Sequence, residues 1–203
     1  MTNILIVYTT TLGNTQKMAA AVAKGARSVT GVEVIYKSSD EVEIDQVKTC
    51  QALIVGTPIR HRTADARIKG FIEDTLEKLW LTDDMVGKVG GVFSVGGGYG
   101  NMGAGCELAQ LGILSAMAAC GMVLVTLPKT TPGFEVAGMH WGPNGRSGGP
   151  KMEPVGVTDA MIETAFHHGG NIARVAMALD SKAVMARGNV APSPEIADLF
   201  LNG

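Results

Sequence analysis

The stretch that decides the fold is ILIVYTTTLGNT, residues 4–15, close to the start of the chain. Its first part, residues 4–8, is a mostly apolar run, which is typical of a strand covered on both faces in a parallel sheet. A loop of hydroxyl side chains with one glycine follows, and apolar residues at helical spacing begin at Met18. A strand, a polar loop and a helix in this order predict the first unit of an α/β fold.

The same unit recurs along the chain. Further β-rich runs bounded by turn residues lie at residues 32–36, 52–56, 89–94 and 122–127. Helical patterns lie at about residues 68–79, 105–120 and 159–179, and residues 45–50 have room for one or two turns. Strands that alternate with helices predict a doubly wound, five-stranded parallel sheet with helices on both faces.

Composition restricts the function classes. The net charge is −2 without a long basic block, so neither nucleic acid nor a membrane surface is an expected partner. The apolar stretch at residues 111–127 is divided by Gly121, which predicts a buried helix and strand rather than a membrane span. The amino terminus lacks signal-peptide features, which favours a cytoplasmic location.

A length of 203 residues fits one domain, which we assign to residues 1–180, followed by a tail at 181–203. The domain includes a glycine- and proline-rich loop at residues 128–157, and a loop of this length is usually functional or disordered. The cysteines have no metal-like spacing, so we expect them reduced and buried, with no metal site.

The polar loops that follow strands one, three and four carry the chemistry. They are loop 1 (residues 9–15), loop 2 (56–65) and loop 3 (94–105). The carboxyl ends of parallel strands meet at one sheet edge, where ligands bind. Hydroxyls at the start of a helix suit a phosphate, although the same residues also serve as ordinary helix caps. The glycines of loop 3 permit close approach of a ligand, but a dinucleotide fingerprint belongs after the first strand and is rejected here.

These loops, together with the segments GNTQKMA, GTPIR and CGMVLV, resemble the flavodoxin-like FMN proteins, most of all the WrbA-type NAD(P)H:quinone oxidoreductases. The resemblance extends over about residues 4–179. It implies the flavodoxin-like fold, FMN as cofactor and NAD(P)H as co-substrate. It also implies a homo-oligomer, a dimer or tetramer, whose active sites are completed by neighbours.

The resemblance also implies which residues form the site. The FMN phosphate is assigned to loop 1, through Thr10, Thr11, Leu12, Gly13, Asn14 and Thr15. The isoalloxazine ring is assigned to Pro58, Ile59, Arg60 and His61. The pyrimidine end of that ring is assigned to Ser94, Val95, Gly96, Gly97, Gly98, Tyr99 and Gly100. Trp80 matches a family tryptophan that lines the quinone site. Without the resemblance, the basic residues of loop 2 are equally well read as solvated surface charge.

The chain departs from the family pattern in the active-site loops. Leu12 replaces a tyrosine that contacts the nicotinamide cofactor, and His61 occupies an aromatic position. The family histidines before CGM are absent. We expect His61 or His140 to donate a proton to the reduced acceptor, and we expect Trp141 to cover the flavin as part of a lid.

The expected function is two-electron transfer from NAD(P)H through FMN to a quinone-like acceptor. One alternative is a one-electron flavodoxin carrier, although such carriers are usually more acidic than a chain with a charge of −2. The other alternative is a non-catalytic FMN-binding regulatory protein, which the missing family tyrosine and histidines keep open.

Overall fold

The computed structural model of the chain describes residues 1–98, 105–186 and 191–201. The strands are β1 (Thr2–Tyr8), β2 (Val32–Ser38), β3 (Ala52–Arg60), β4 (Thr63–Ala64), β5 (Val89–Gly96), β6 (Val123–Leu124) and β7 (Asn144–Arg146). The helices are α1 (Asn14–Arg27), α2 (Ile44–Thr49), α3 (Ala66–Phe71), α4 (Glu77–Leu81), α5 (Cys106–Ala119), α6 (Phe134–Ala137), α7 (Asp159–Leu179) and α8 (Pro194–Leu201). A π-helical segment, Ile72–Leu76, joins α3 to α4.

The sheet has the strand order β2-β1-β3-β5-β6, and every neighbouring pair along this path is parallel. The predicted five-stranded, doubly wound sheet is therefore confirmed. Strand order reverses beside β1, so the carboxyl ends of β1, β3 and β5 form the edge where ligands bind in such sheets.

The fifth strand differs from its prediction. Residues 122–127 were expected to form one strand, but β6 covers only Val123–Leu124 and pairs with the start of β5. The chain then leaves the sheet and returns as β7, which pairs with Ser94–Gly96 at the end of β5. The long loop at residues 128–157 is thus an insertion into the last strand position, and it contains α6 and β7.

Helices cover both faces of the sheet, as the unbroken apolar strands predict. On one face, Ile4 and Ile6 of β1 pack with Met18 of α1 and Ile172 of α7. On the other face, alternate residues of β1 such as Leu5 pack with residues of α2 to α5. Because successive side chains of a strand point to opposite faces, one strand supplies both cores.

Helices α1 and α7 approach each other closely because glycines lie at their contact. A Cβ atom on Gly25 would come within 1.8 Å of the Phe166 carbonyl oxygen, and one on Gly169 within 2.1 Å of the Val22 carbonyl oxygen. Any side chain at these positions would separate the two helices. This contact fixes α1, and with it loop 1, on the sheet.

The tail contains more structure than its weak pattern indicates. We expected Pro192 and Pro194 to make it extended, but Pro194 occupies the first position of α8, where a proline is compatible with a helix. Within the described residues, no helix has both the length and the apolar character that crossing a membrane requires. The three cysteines are buried and form no disulfide, as expected.

A buried histidine lies beneath the middle of the sheet. His168 of α7 is 0% exposed, and its Nε2 atom lies 3.6 Å from the position of a Cβ on Gly91. Burial disfavours the charged imidazolium and lowers the pKa of His168 to about 4. The side chain is therefore neutral in the folded protein at pH 7.

We predict that His168 makes the fold sensitive to mild acid. In the unfolded chain the histidine takes up a proton below its ordinary pKa of about 6.5, whereas in the folded protein it does so only near pH 4. As the pH falls from about 6.5 to about 4, His168 therefore lowers the free energy of unfolding by about 3 kcal/mol. His168→Leu should remove that part of the pH dependence in urea unfolding at pH 7.5, 5.5 and 4.5. His167→Leu, at the partly exposed neighbour, is the matched control and should retain it. Equal pH dependence in both variants would contradict this account.

Candidate functional site

Loop 1 presents the start of a helix without a side-chain cap. Gly13 is the N-cap of α1, with a left-handed φ of 79°, and no side chain accepts the first backbone N–H groups of the helix. The Gly13 N–H itself donates to the Thr10 hydroxyl at 3.0 Å. The buried Thr9 hydroxyl has no hydrogen-bond partner. Unsatisfied donors at the positive end of a helix dipole form a ready site for an anion.

The space in front of Gly13 is open. A Cβ atom at this position would meet no heavy atom within 4 Å. Leu12 beside it is 76% exposed, whereas Thr15 is buried in the first turn of α1. Loop 1 is therefore shaped to accept one phosphate group with its backbone, and the residues present fit the phosphate of a flavin mononucleotide.

Loop 2 is a strained hairpin at the end of β3. Ile59 and Arg60 pair antiparallel with β4, and the two residues at the turn, His61 and Arg62, have φ values of 45° and 72°. Two successive left-handed residues are usual for a tight hairpin, but glycine and asparagine are the usual residues there. Each non-glycine residue in this conformation costs about 1–2 kcal/mol. Strain of this kind clusters at functional sites.

Loop 3 begins later than predicted, because β5 continues to Gly96. Ser94 and Val95 are buried inside this strand. The Ser94 hydroxyl accepts from Gln110 Nε2 at 2.8 Å and donates to Asn144 Oδ1 at 2.8 Å, so it links β5 to α5 and β7. Gly97 and Gly98 follow the strand, whereas Tyr99 and Gly100 lie outside the described residues.

Loops 2 and 3 contact each other through glycines. A Cβ on Gly96 would come within 2.8 Å of Ile59 Cδ1, which joins loop 2 to the end of β5. A Cβ on Gly105, which has a φ of 87°, would come within 2.5 Å of Arg62 Cα, so the start of α5 packs on the hairpin. The Thr9 N–H of loop 1 donates to the Gly56 carbonyl oxygen of loop 2 at 3.3 Å, and loop 2 lies between loop 1 and loop 3 because β3 lies between β1 and β5.

Sequence reasoning missed Asp65 and Arg67, which connect loop 2 to loop 1. Asp65 caps α3 by accepting the Arg67 backbone N–H at 3.1 Å, and its carboxylate also binds the Arg67 side chain. Hydrogen bonds from Arg67 lower the pKa of Asp65 below its ordinary value, although burial opposes this shift. An aspartate before a helical pattern signals a cap. No pattern signals the contact of Arg67 with loop 1, because it joins residues 57 positions apart.

The part of the long loop that reaches this edge is not the part we expected. Ser147 and Gly148 donate backbone N–H groups to the Gly96 and Gly97 carbonyl oxygens, each at 2.9 Å. The Asn14 side-chain oxygen of α1 lies 3.6 Å from the position of a Cβ on Gly156. Residues 147–156 therefore border loops 1 and 3.

The structure places His140 and Trp141 beside the middle of β5, away from its carboxyl end. The His140 carbonyl oxygen accepts the Leu127 N–H at 2.8 Å, and its ring contacts Phe134 at a centroid distance of 5.3 Å. A Cβ on the next residue, Gly142, would lie 2.0 Å from the Val92 carbonyl oxygen. The roles of His140 in proton donation and of Trp141 in covering the flavin stay predictions.

Trp80 lies at the opposite end of the sheet. Helix α3 begins beside loop 1, and the chain then runs back through α4 to enter β5 at Val89. Trp80 is 50% exposed and lines a groove with Leu76 and Cys120. Its contact with a quinone stays a prediction.

Comparison with known proteins agrees with this architecture. The family model of a flavodoxin domain matches residues 5–92. The NAD(P)H dehydrogenase (quinone) of Sinorhizobium fredii is 32% identical over 205 residues, which cover 88% of this chain and 99% of that protein. A flavodoxin of Aquifex aeolicus is 38% identical over 124 residues, covering 61% of this chain but only 64% of that protein.

Solved structures share the fold at lower identity. A flavodoxin, WrbA-like protein from Agrobacterium tumefaciens superimposes with a TM-score of 0.69 at 22% identity, covering 89% of this chain and all (100%) of that chain. Flavodoxin 1 of Bacillus cereus gives a TM-score of 0.61 at 16% identity, covering 85% and 98% of the two chains. The fold extends in both cases beyond the segment matched by the family model.

We predict that Gly13 and Gly112 respond in opposite ways to the same substitution. A Cβ meets nothing within 4 Å at either position, but only Gly13 has a left-handed φ, while Gly112 lies exposed within α5. Gly13→Ala should lower the free energy of unfolding by about 1–2 kcal/mol. Gly112→Ala should raise it by about 0.5–1 kcal/mol. Urea unfolding checks both values, and an unchanged stability of Gly13→Ala would contradict the strained geometry of loop 1.

Proposed function

The chain belongs to the flavodoxin-like family of WrbA-type NAD(P)H:quinone oxidoreductases, and from this premise we propose that it uses FMN to transfer two electrons from NAD(P)H to a quinone-like acceptor. The observation that carries the proposal is the uncapped start of α1 at Gly13, which faces open space at the carboxyl edge of the sheet. When bound, FMN supplies the redox chemistry, and the protein supplies binding, orientation and electrostatics.

The residues of loop 1 hold the phosphate in this proposal. Backbone N–H groups at the start of α1 and the hydroxyls of Thr10, Thr11 and Thr15 are the donors, with the helix dipole as an added attraction. One phosphate-sized loop suits a mononucleotide. Neither a lysine nor Walker A spacing is present in the loop, which disfavours a nucleoside triphosphate.

Loops 2 and 3 flank the flat ring in this proposal. Pro58 and Ile59 end β3 beside Gly96, and the contact between Ile59 and Gly96 leaves no room for a side chain on the glycine. The backbones of loops 2 and 3, held together by this contact, would exclude water from one side of the flavin ring. His61, exposed at the tip of the hairpin, is the histidine of this subunit that we assign to proton donation to the reduced acceptor.

Assembly completes the site in this proposal. Trp80 lies near the start of β5, His140 and Trp141 lie beside its middle, and both tryptophans are more than a third exposed. A cytoplasmic homo-oligomer, a dimer or a tetramer, would place the side chains of one subunit at the cofactor edge of another. The acceptor is then a flat, quinone-like molecule bound between subunits.

A one-electron carrier is the second candidate function. The curated relative with the higher identity over its aligned region has the name flavodoxin, and Leu12 stands where a nicotinamide-contacting tyrosine occurs in the enzymes. The net charge of −2 argues against it, since carriers that dock on basic partners are usually more acidic. A non-catalytic FMN-binding regulator is the third candidate.

Steady-state kinetics separates the three candidates. We predict that, without dioxygen, the FMN-loaded protein oxidises NADH or NADPH over many turnovers when a quinone is present, with parallel double-reciprocal plots, because donor and acceptor would use one site in turn. Gly112→Ala, which lies outside the site, should retain this activity. A protein that binds FMN but gives no quinone-dependent turnover would overturn the enzymatic proposal, and reduction by a one-electron donor alone would favour a carrier.

A further inference from the structure

Arg67, in the first turn of α3, connects loop 1 to Asp65 at the end of loop 2. Its Nη1 group donates to the Thr10 carbonyl oxygen at 3.3 Å, and its Nη2 group donates to the Thr11 hydroxyl at 3.3 Å. Both acceptors belong to loop 1, which presents the uncapped start of α1. The guanidinium group therefore lies at one side of the proposed phosphate site.

Asp65 determines the direction in which this guanidinium group points. Its carboxylate accepts from Arg67 Nε at 2.9 Å and from Arg67 Nη2 at 3.1 Å, which makes a two-pronged pair. The Asp65 backbone N–H donates to the Thr57 hydroxyl at 2.9 Å, so the aspartate is itself held on β3. A planar fork fixed on both prongs loses little conformational freedom when it binds a further anion.

The surrounding cleft carries an excess of positive charge. The buried carboxylate of Asp65 faces a second arginine, since Arg60 Nε lies 3.5 Å from Asp65 Oδ2. The more distant Asp40 also attracts Arg67, but it is fully exposed, and its field is screened by solvent. The cleft has a volume of about 590 Å³ and is lined by Thr10, Thr11, Arg60, Asp65, Ala66 and Arg67.

We propose that Arg67, oriented by Asp65, makes this site selective for a phosphorylated flavin over riboflavin. Backbone donors and a helix dipole carry only partial charges, whereas Arg60 and Arg67 together exceed the single negative charge of Asp65 by one full positive charge, which is lost when Arg67 is removed. Arg67 thus adds a salt-sensitive attraction that riboflavin, which lacks the phosphate, does not experience. This inference rests on the proposed FMN site and names one residue that determines its selectivity.

Flavin titration tests the inference without any measurement of turnover. Wild-type protein and Arg67→Ala are titrated with FMN and with riboflavin by quenching of flavin fluorescence, at low and at high ionic strength. We expect Arg67→Ala to lose about 10- to 100-fold in FMN affinity at low ionic strength and less at high ionic strength, with riboflavin affinity unchanged. The matched control is Lys69→Ala, whose exposed lysine in the same helix pairs with Glu73 of the following π-helical segment at 2.6 Å, and it should bind FMN like wild type.

Two conservative variants distinguish the loss of the positive charge from a folding defect. Arg67→Gln keeps polar donors without charge and should lose FMN affinity like Arg67→Ala, while Arg67→Lys keeps the charge and should lose less. Equal losses for FMN and riboflavin would overturn the inference, and so would an unchanged FMN affinity or a loss that is the same at both ionic strengths. A wild-type protein that binds neither flavin would instead overturn the proposed function itself.

Discussion

The proposed binding site depends on the backbone N–H groups at the start of α1, which have no side-chain cap. A helix leaves its first N–H groups without partners, and at Gly13 no side chain caps them. The close glycine contact between α1 and α7 holds this helix end beyond β1, and the parallel sheet brings the ends of β3 and β5 to the same edge. Loops 2 and 3 contribute to the proposed site because they lie at the same edge as these donors.

Charge is distributed around this helix end in two layers. The helix dipole and the loop hydroxyls form the inner layer. Arg60, Asp65 and Arg67 form the outer layer, which consists of charged side chains rather than backbone groups. The strained turn at His61 and Arg62 belongs to the same loop as Arg60 and Asp65, so one short hairpin carries both the charged cleft and the histidine that we propose as the proton donor.

Much of this arrangement could be predicted from sequence, because it follows from local patterns. Apolar runs identified the strands, and a polar loop before a helix indicated residues 9–15 as the candidate phosphate site. The prediction failed where partners are distant in sequence: Arg67 contacts Thr10 across 57 positions, and Ser94 is placed by Gln110 and Asn144. The single run at residues 122–127 also concealed a divided strand, since β7 completes that position only after an insertion.

The ³¹P NMR signal of FMN bound to this protein tests the central claim most directly. If the start of α1 and its loop bind the phosphate as a dianion, its chemical shift should stay constant between about pH 5 and pH 8, because the donors lower its pKa. A bound flavin whose phosphate signal titrates with a pKa of about 6, like a free phosphate monoester, would contradict the account and place the phosphate in solvent.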